Sequence, residues 1–193
     1  MKRYDYYLFD ADGTLFDSTD LICECFQFIA EKYAGTTINR ELILAGIGSP
    51  LRQQLISHLG PHLDVEAMLE DYLQYQLNAM GRGLSLFPMV TETLRTLQEN
   101  QKKLAIVTSR RRHSLEVFLN TTGIIDYFQV LVTPEDTELH KPEPEPALKA
   151  MKLLGADQST TVFIGDAHYD ICCGNSAGVN TVFVNWSHIN AAD

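Results

Sequence analysis

Two acidic residues stand close together where an apolar segment ends. Asp10 and Asp12 follow a run that includes Leu8 and Phe9, and Gly13 comes next. A short apolar run that ends at a turn signal is typical of a buried strand, and Gly13 supplies the turn. Since ligands of open parallel sheets bind outside the carboxyl ends of the strands, both carboxylates are placed to face one ligand. The other interpretation is that they are turn or helix-capping residues, which is a common use of Asp.

Three later stretches carry polar residues in a comparable setting. The stretch LAIVTS is an apolar run that ends in Thr108 and Ser109, and VFIGDAHYD ends a similar run at Asp166, with Asp170 one helical turn further on. Between them, Lys141 precedes the prolines of HKPEPEP, which block a helix and favour an extended chain. Taken singly, the hydroxyls suit a turn or cap and the lysine suits a solvated surface. The set in this order is specific, because each stretch places polar groups at a predicted strand end.

These motifs resemble those of the haloacid dehalogenase superfamily of phosphatases, in its phosphoglycolate-phosphatase-like branch. The resemblance rests on DADGT, TS, KP and GDAHYD and extends from about Tyr6 to about Val184. It implies that Asp10 is the nucleophile and forms an aspartyl-phosphate. It also implies that Asp12 is the general acid and base, and that Lys141 neutralises the nucleophile and binds the phosphoryl group.

The same resemblance implies a Mg²⁺ cofactor. Asp10, Asp166 and the backbone carbonyl of Asp12 are the expected metal ligands, and Mg²⁺ suits such a set of oxygens. Asp170 belongs to the metal site through support of Lys141 or of a metal-bound water. A carboxylate that approaches a phosphate dianion is repelled by ~4 kcal/mol for each pair of unit charges ~4 Å apart at an effective dielectric of about 20. A divalent metal and a lysine are therefore needed beside the acids.

Hydroxyl and basic residues are the candidates for holding the substrate. Thr108 and Ser109 offer hydroxyl and backbone N–H donors to a phosphoryl oxygen. In the stretch GIGSPLR, Arg52 is the candidate contact for a second anionic group. The run Arg110–Arg112 is predicted to be the solvated start of a helix, and the alternative is that Arg110 meets an anionic substrate tail.

The elements that must position these residues alternate between strand and helix after residue 86, which predicts a parallel sheet. The predicted strands are Leu104–Thr108, Val130–Val132, Val162–Asp166 and Thr181–Val184, and the predicted helices are Val90–Glu99, His113–Thr121, Pro146–Leu154 and Tyr169–Ala177. Residues 17–86 do not alternate and are predicted to be consecutive helices, with breaks near Gly35, Gly46–Pro50 and Gly60–Pro61.

The predicted fold class is therefore α/β, with a Rossmann-like parallel sheet core and an inserted all-helical cap. Residues 1–16 and 87–193 form the predicted core domain and residues 17–86 the predicted cap. The resemblance implies that this cap covers the active site. Hinges are expected at residues 16–18 and 81–88, where Gly81 and Gly83 occur. The tail NWSHINAAD after Val184 is shorter than the final helix and strand of the resembled family, so that element is not expected.

Composition and charge restrict the partners. The net charge of −10 disfavours a nucleic-acid backbone, and no apolar run reaches the ~18 residues of a membrane span. The amino terminus lacks the apolar centre of a signal peptide. We therefore expect a cytoplasmic protein, monomer or homodimer, whose partner is a small phosphorylated metabolite, with no nucleic acid and no membrane.

The cysteines and one histidine are expected to have no chemical role. Cys23 and Cys25 form one close pair in the sequence and Cys172 and Cys173 another, without the spacing of a zinc or redox motif. All four are predicted to be reduced thiols that serve packing. His168 is predicted to be an exposed residue between the two acids of the last motif.

The function predicted from these features is a Mg²⁺-dependent phosphatase of small phosphate esters, most similar to a phosphoglycolate phosphatase. An inorganic pyrophosphatase of the same branch is the first alternative, because IGSP, HKPEPEP and GDAHYDI also resemble that group. A phosphosugar mutase similar to β-phosphoglucomutase is the second, although it more often has a branched apolar residue in place of Thr14. A dehalogenase is disfavoured because Asp12 is present, and a non-enzymatic phosphate-binding protein because the set of acids is intact.

Overall fold

A five-stranded sheet, parallel throughout, lies at the centre of this computed structural model, which describes residues 4–187. In chain order the strands are β1 (Tyr6–Phe9), β2 (Phe16–Asp17), β3 (Ser85–Leu86), β4 (Lys103–Val107), β5 (Val130–Val132), β6 (Thr161–Gly165) and β7 (Asn180–Phe183). The sheet order is β5-β4-β1-β6-β7, so the strand that leads into Asp10 is the central one. The predicted α/β class with a Rossmann-like parallel sheet is confirmed.

Eight α-helices lie within the described part of the chain, four between β2 and β3 and four after β3. They are α1 (Thr19–Ala34), α2 (Arg40–Gly46), α3 (Leu51–Leu59), α4 (Val65–Gly83), α5 (Val90–Glu99), α6 (Arg112–Thr122), α7 (Glu145–Leu154) and α8 (His168–Ser176). Helix α5 has the predicted bounds, and the breaks predicted in residues 17–86 separate α1 to α4. None of the helices within residues 4–187 combines the length and apolar character needed to cross a bilayer.

Burial on both faces explains the apolar strands. Leu8 and Ala105 belong to a core cluster on one face of the sheet, whereas their neighbours Phe9 and Ile106 belong to the cluster on the other face. Successive side chains of a strand alternate between the two faces, so a strand that is covered on both sides needs apolar residues at every position. This packing fixes the carboxyl ends of β1, β4 and β6 side by side.

Helices α1 to α4 form a helical insert between the short strands β2 and β3. Helix α1 packs on α4, where the rings of Phe26 and Tyr72 meet edge to face at 5.2 Å. Strands β2 and β3 pair antiparallel, with Phe16 opposite Leu86. This ribbon, which the sequence did not predict, contains both proposed boundaries of the cap. The division into core and cap domains stays a prediction.

Two further expectations concern the ends of elements and the thiols. Gly81 and Gly83, expected in the second hinge, lie instead in the last turn of α4, because that helix continues to Gly83. The four cysteines all lie within the described residues and form no disulfide. The expectation about a final helix and strand falls mainly on residues 188–193, which are outside the described residues.

Candidate active site

The loop after β1 lies very close to the loop after β6. The backbone N–H of Asp10 donates to the carbonyl of Ile164 at 2.9 Å, which ties the start of the loop to β6. Gly13 has φ of +80°, and a Cβ atom at this position would lie 2.0 Å from Oδ2 of Asp166. Only glycine can occupy that conformation and space, so Gly13 allows the two acidic loops to meet.

Four charged side chains from these loops and from the segment after β5 form a buried cluster. The Nζ atom of Lys141 lies 2.6 Å from Oδ1 of Asp10 and 2.6 Å from Oδ1 of Asp170. Carboxylate oxygens of Asp10, Asp166 and Asp170 lie within 4.8 Å of one another. All four residues are buried. The structure thus brings together side chains that are up to 160 positions apart in the sequence, from 10 to 170.

The loop after β6 and the start of α8 hold the second pair of acids. A Cβ atom on Gly165 would lie 2.3 Å from Cβ of Asp170, so the backbone passes closely under this side chain. The backbone N–H of Ala167 donates to Oδ2 of Asp170 at 3.0 Å, while Oδ1 of the same carboxylate receives the lysine. Asp166 accepts a hydrogen bond from the hydroxyl of Ser187 at 2.6 Å. Both acids are therefore oriented by hydrogen bonds from within the protein.

Burial dominates the electrostatics of this cluster. Burial raises the pKa of Asp10 well above its usual value, Lys141 opposes the rise, and Asp170 and Asp166 add to it. Burial also raises the pKa of Asp166 to about 7, with the charge of Asp170 acting in the same direction. Burial acts to lower the pKa of Lys141, but the charges of Asp10 and Asp170 outweigh it and raise that pKa overall.

The charges of the buried cluster indicate whether its residues suit a metal ion. Three carboxylates share one lysine, so the ionised cluster has an excess of buried negative charge. A divalent cation that takes oxygen ligands would supply the missing positive charge, and Mg²⁺ is such a cation. Asp10 and Asp166 fit as ligands, because the donors to Asp166 are the rotatable hydroxyls of Thr14 and Ser187. The oxygens of Asp170 instead accept from the ammonium group of Lys141 and the backbone N–H of Ala167.

The side chain of Asp12 does not join this cluster but pairs with Arg110. The Nε atom of Arg110 lies 2.8 Å from Oδ2 of Asp12, and Nη2 lies 2.5 Å from Oδ1. The hydroxyl of Ser18 donates to the same Oδ1 at 2.5 Å. The role of the Asp12 backbone carbonyl at a metal stays a prediction.

The expectation of a solvated arginine run is wrong for Arg110. Its side chain is only 5% exposed, and its guanidinium carbon lies 3.9 Å from the centre of the Phe118 ring. Burial is possible because Asp12 compensates the charge. Arg111 and Arg112 pair instead with Glu135 and Asp136. The sequence suggested Arg110 only as the alternative contact for an anionic substrate tail. Its pairing with Asp12 was not predicted, because nothing local indicates which distant residue it meets.

A pocket between the helical insert and the sheet edge contains Asp10 and Asp12 in its lining. Polar groups of the insert that line it are Ser49, Gln54 and Gln76, and those of the core side are Thr108, Ser109, Arg110, Arg111 and Ser114. The remaining lining is apolar and comes from the insert, with residues Ile22, Phe26, Ile47, Gly48, Leu51, Tyr72 and Leu73. The pocket is therefore a place where a small polar molecule can meet both acids.

The predicted hydroxyl donors lie in this pocket but make contacts within the protein. The Ser109 hydroxyl donates to the carbonyl of Gly48 at 2.6 Å, which links the core to the loop between α2 and α3. The Thr108 hydroxyl accepts from the backbone N–H of Arg110 at 3.1 Å. Their contact with a phosphoryl group stays a prediction.

Arg52 is a predicted site residue that lies neither in the buried cluster nor in the pocket lining. It forms an ion pair with Glu66 inside the insert, its side chain is 48% exposed, and it is not among the described lining residues. The arginines that do line the pocket are Arg110 and Arg111, whose guanidinium groups pair with Asp12 and Glu135. His168 is exposed, as expected.

Comparison with known proteins identifies relatives along most of the chain. The profile of the haloacid dehalogenase-like hydrolase family matches residues 7–184. A provisional pyrophosphatase PpaX of Caldanaerobacter subterraneus subsp. tengcongensis is 39% identical over 180 residues, which are 93% of this chain and 81% of the relative. The pyrophosphatase PpaX of Anoxybacillus flavithermus is 37% identical over 180 residues, 93% of this chain and 83% of the relative.

A solved structure supports the same relationship. A Bacteroides fragilis protein, provisionally described as a haloacid dehalogenase-like hydrolase, superposes with a TM-score of 0.89 at 30% identity. The superposition covers 98% of this chain and 91% of that chain.

Proposed function

The chain is a phosphatase that belongs to the haloacid dehalogenase-like hydrolase family, and we propose that it depends on Mg²⁺ and works through a covalent phosphate on Asp10. The observation that carries this proposal is the buried cluster of Asp10, Asp166, Asp170 and Lys141, of which Asp10 also lines the pocket. Such a cluster combines a nucleophile, oxygen ligands for a cation and a fixed positive charge.

In the first step, Asp10 attacks the phosphorus atom of the substrate. A bond forms between a carboxylate oxygen of Asp10 and phosphorus, while the bond between phosphorus and the leaving oxygen breaks. The electron pair of that bond stays on the leaving oxygen, and Asp12 donates its proton there. Lys141 stays beside Asp10 and offsets its charge throughout.

In the second step, water releases the phosphate. Asp12, now ionised, accepts a proton from a water molecule, and the resulting hydroxide oxygen bonds to phosphorus. The bond between phosphorus and Asp10 breaks, so inorganic phosphate leaves and both aspartates return to their starting states. Splitting a slow hydrolysis into two displacements is what a covalent nucleophile contributes.

Asp10 and Asp166 would hold the metal, together with the backbone carbonyl of Asp12. When bound, Mg²⁺ supplies positive charge that stabilises the phosphoryl oxygens and keeps the buried carboxylates ionised. Asp170 keeps Lys141 in place through their 2.6 Å contact.

We propose inorganic pyrophosphate as the first substrate. The relatives at 39% and 37% identity are named pyrophosphatases, and both match 93% of this chain. Arg111 lies in the pocket lining with a half-exposed side chain, and this favours a substrate that has a second anionic group beside the phosphoryl group. Phosphoglycolate shares that property and is the second candidate.

A phosphate-release assay tests this function. The full chain should release phosphate from pyrophosphate, phosphoglycolate or both in the presence of Mg²⁺, and the release should stop with EDTA and in Asp10→Asn. Asp5→Asn is the matched control, because this carboxylate pairs with Lys102 at the surface, close to the same strand. Release that survives in Asp10→Asn would refute the covalent route.

Two other outcomes separate the rival functions. Conversion of β-glucose 1-phosphate to glucose 6-phosphate without net phosphate release would identify a mutase. Binding of pyrophosphate without turnover, in protein that retains its fold and Mg²⁺, would identify a binding protein.

A further inference from the structure

We propose that Arg110 is a positioning residue for Asp12, and that Gln76 of the helical insert keeps Arg110 in place through a hydrogen bond. The packing of the insert on the core would thereby orient the carboxylate that moves the proton. This inference rests on the proposed function, because it takes Asp12 as the general acid and base. It goes beyond that function by naming the two residues that set its geometry.

The contact between Arg110 and Asp12 determines the orientation of the carboxylate. Two nitrogens of one planar guanidinium reach the two oxygens of Asp12, at 2.8 Å and 2.5 Å. A two-point contact of this kind fixes the plane of the carboxylate as well as its distance, which a single ammonium group cannot do. Ser18 supports only one of the two oxygens. Arg110 is therefore the partner that limits rotation of the Asp12 side chain.

The guanidinium is itself fixed by contacts on its other sides. Its third nitrogen, Nη1, lies 2.7 Å from Oε1 of Gln76 and 2.6 Å from Oγ of Ser114. The Ser114 hydroxyl donates to the same Oε1 at 2.9 Å, which closes a triangle of hydrogen bonds. The Phe118 ring stacks at 3.9 Å and blocks movement out of the guanidinium plane. The arginine thus has little freedom to leave Asp12.

Gln76 is the member of this network that belongs to the insert. It lies on α4 and is only 3% exposed, although its neighbours on the buried face of that helix, such as Tyr72 and Ala79, are mainly apolar. A buried amide is costly unless its hydrogen bonds are made, and here its oxygen receives two. Its partners Arg110 and Ser114 come from the core. Gln76 therefore makes these two hydrogen bonds only when the insert lies against the core.

The guanidinium of Arg110 thus connects Gln76 of the insert to Asp12, the proposed general acid and base. If the insert moves away, Nη1 loses Gln76, and if the arginine moves, Asp12 loses both of its nitrogen donors. A purely structural ion pair would affect stability alone, whereas a positioning pair affects the rate of proton transfer at constant substrate binding.

The variant Arg110→Ala tests whether Arg110 positions Asp12. Its Mg²⁺-dependent release of phosphate from pyrophosphate is measured. We expect kcat to fall by roughly 10²-fold, since positioned general acids and bases contribute on this scale. KM should change little, and added millimolar guanidinium should restore part of kcat by filling the vacated site. Arg112→Ala is the matched control, because Arg112 lies two positions away and pairs with Asp136 outside the pocket. It should keep wild-type kcat and show no response to guanidinium.

Arg110→Lys covers the case in which Arg110→Ala does not fold. This variant retains the charge but not the two-point contact, so kcat should still fall and guanidinium should have no effect because the site is filled. Wild-type kcat in Arg110→Lys would overturn the inference.

The variant Gln76→Leu tests whether Gln76 keeps Arg110 in place. Its kcat should fall by about ten-fold, and the double variant Arg110→Ala/Gln76→Leu should lose no more than Arg110→Ala alone, because both changes disturb one contact chain. Gln74→Leu is the control, since Gln74 lies on the same helix but is exposed and bonds to Asn78 of that helix.

The outcomes separate this inference from the proposed function. Additive losses in the double variant, an Arg110→Ala variant as active as Arg112→Ala, or no response to guanidinium would overturn the positioning role while the phosphatase function stands. A wild-type protein that releases no phosphate from any substrate of the panel would overturn both.

Discussion

At the scale of single residues, the site depends on how one lysine balances several buried acids. Lys141 is 1% exposed at its side chain and contacts Asp10 and Asp170 at equal distances of 2.6 Å. Removing one partner of a buried ion pair leaves the other charge uncompensated, and this costs more than the pair itself contributes. Lys141 should therefore matter to stability as well as to catalysis.

Lys141→Met should lower the free energy of unfolding by about 3–5 kcal/mol near neutral pH in EDTA. It should also abolish phosphate release. Lys102→Met is the control, because its pair with Asp5 lies at the surface, where such pairs contribute at most about 1 kcal/mol. Urea denaturation of the two variants provides the measurement. Equal losses in both would show that the buried cluster is not held by this lysine.

Gly13→Ala should disrupt the metal site through the contact with Asp166. The new methyl group would lie 2.0 Å from the Asp166 carboxylate in a backbone with φ of +80°. Gly123→Ala separates the two causes, because Gly123 has φ of +70° but no atom within 4 Å of the place that its methyl group would occupy. Both variants should lose stability from backbone strain, of about 1 kcal/mol. Only Gly13→Ala should also lose its thermal stabilisation by Mg²⁺.

At the scale of elements, few polar contacts connect the insert to the core over the pocket. One is the hydrogen bond from Ser109, after β4, to the carbonyl of Gly48, between α2 and α3. Another is the contact between Arg110 and Gln76 of α4. The chain passes from the core to the insert through β2 and returns through β3, and these two strands pair with each other. The Ser109 hydroxyl of the core therefore links the loop around Gly48 to the core by one hydrogen bond.

Ser109→Ala should loosen that loop. Amide hydrogen exchange in residues 46–52 should become faster, because the Gly48 carbonyl loses its donor. Ser57→Ala is the control, since its hydroxyl also donates to a backbone carbonyl, that of Gln54, but within the insert. Unchanged exchange in Ser109→Ala would mean that apolar packing alone holds the loop against the core.

At the scale of the whole molecule, stability should depend on pH and on Mg²⁺ together. Burial raises the pKa of Asp166 to about 7 and raises that of Asp10 well above its usual value. In the metal-free protein, the folded state therefore keeps protons that the unfolded chain releases from about pH 4 upward. The stability that Asp166 contributes is present at low pH and is lost as the pH rises to about 7, and Asp10 acts in the same direction.

The stabilisation by Mg²⁺ should consequently grow with pH. A cation must displace those protons, so the difference in Tm between Mg²⁺ and EDTA should be small near about pH 5 and larger near about pH 8. Taking the difference removes the contribution of other groups, such as His58, whose pKa is lowered by burial. Asp166→Asn should show a small difference at every pH. A difference that does not vary with pH in the wild type would contradict the proposed ligand set.

Local patterns in the sequence determined the elements and the ends of the strands. Helix α5 and strand β5 have the predicted bounds, because apolar periodicity and turn residues act over a few positions. The helix breaks near Gly35 and Gly60 follow from backbone preferences of the same local kind. These patterns also indicated which acids stand at strand ends, since Asp10 and Asp166 each come where an apolar run ends.

Only the tertiary structure decided which side chains meet. Lys141 could be placed beside Asp10 from the sequence by family resemblance alone, and the pairing of Arg110 with Asp12 and Gln76 could not be foreseen. Arg52 and Arg110 are chemically equivalent in the sequence, yet one lies at the surface beside Glu66 and the other is buried in the pocket. The physical reason is that charge pairing and burial depend on packing between segments far apart in the chain, whereas periodicity and turns depend on neighbours.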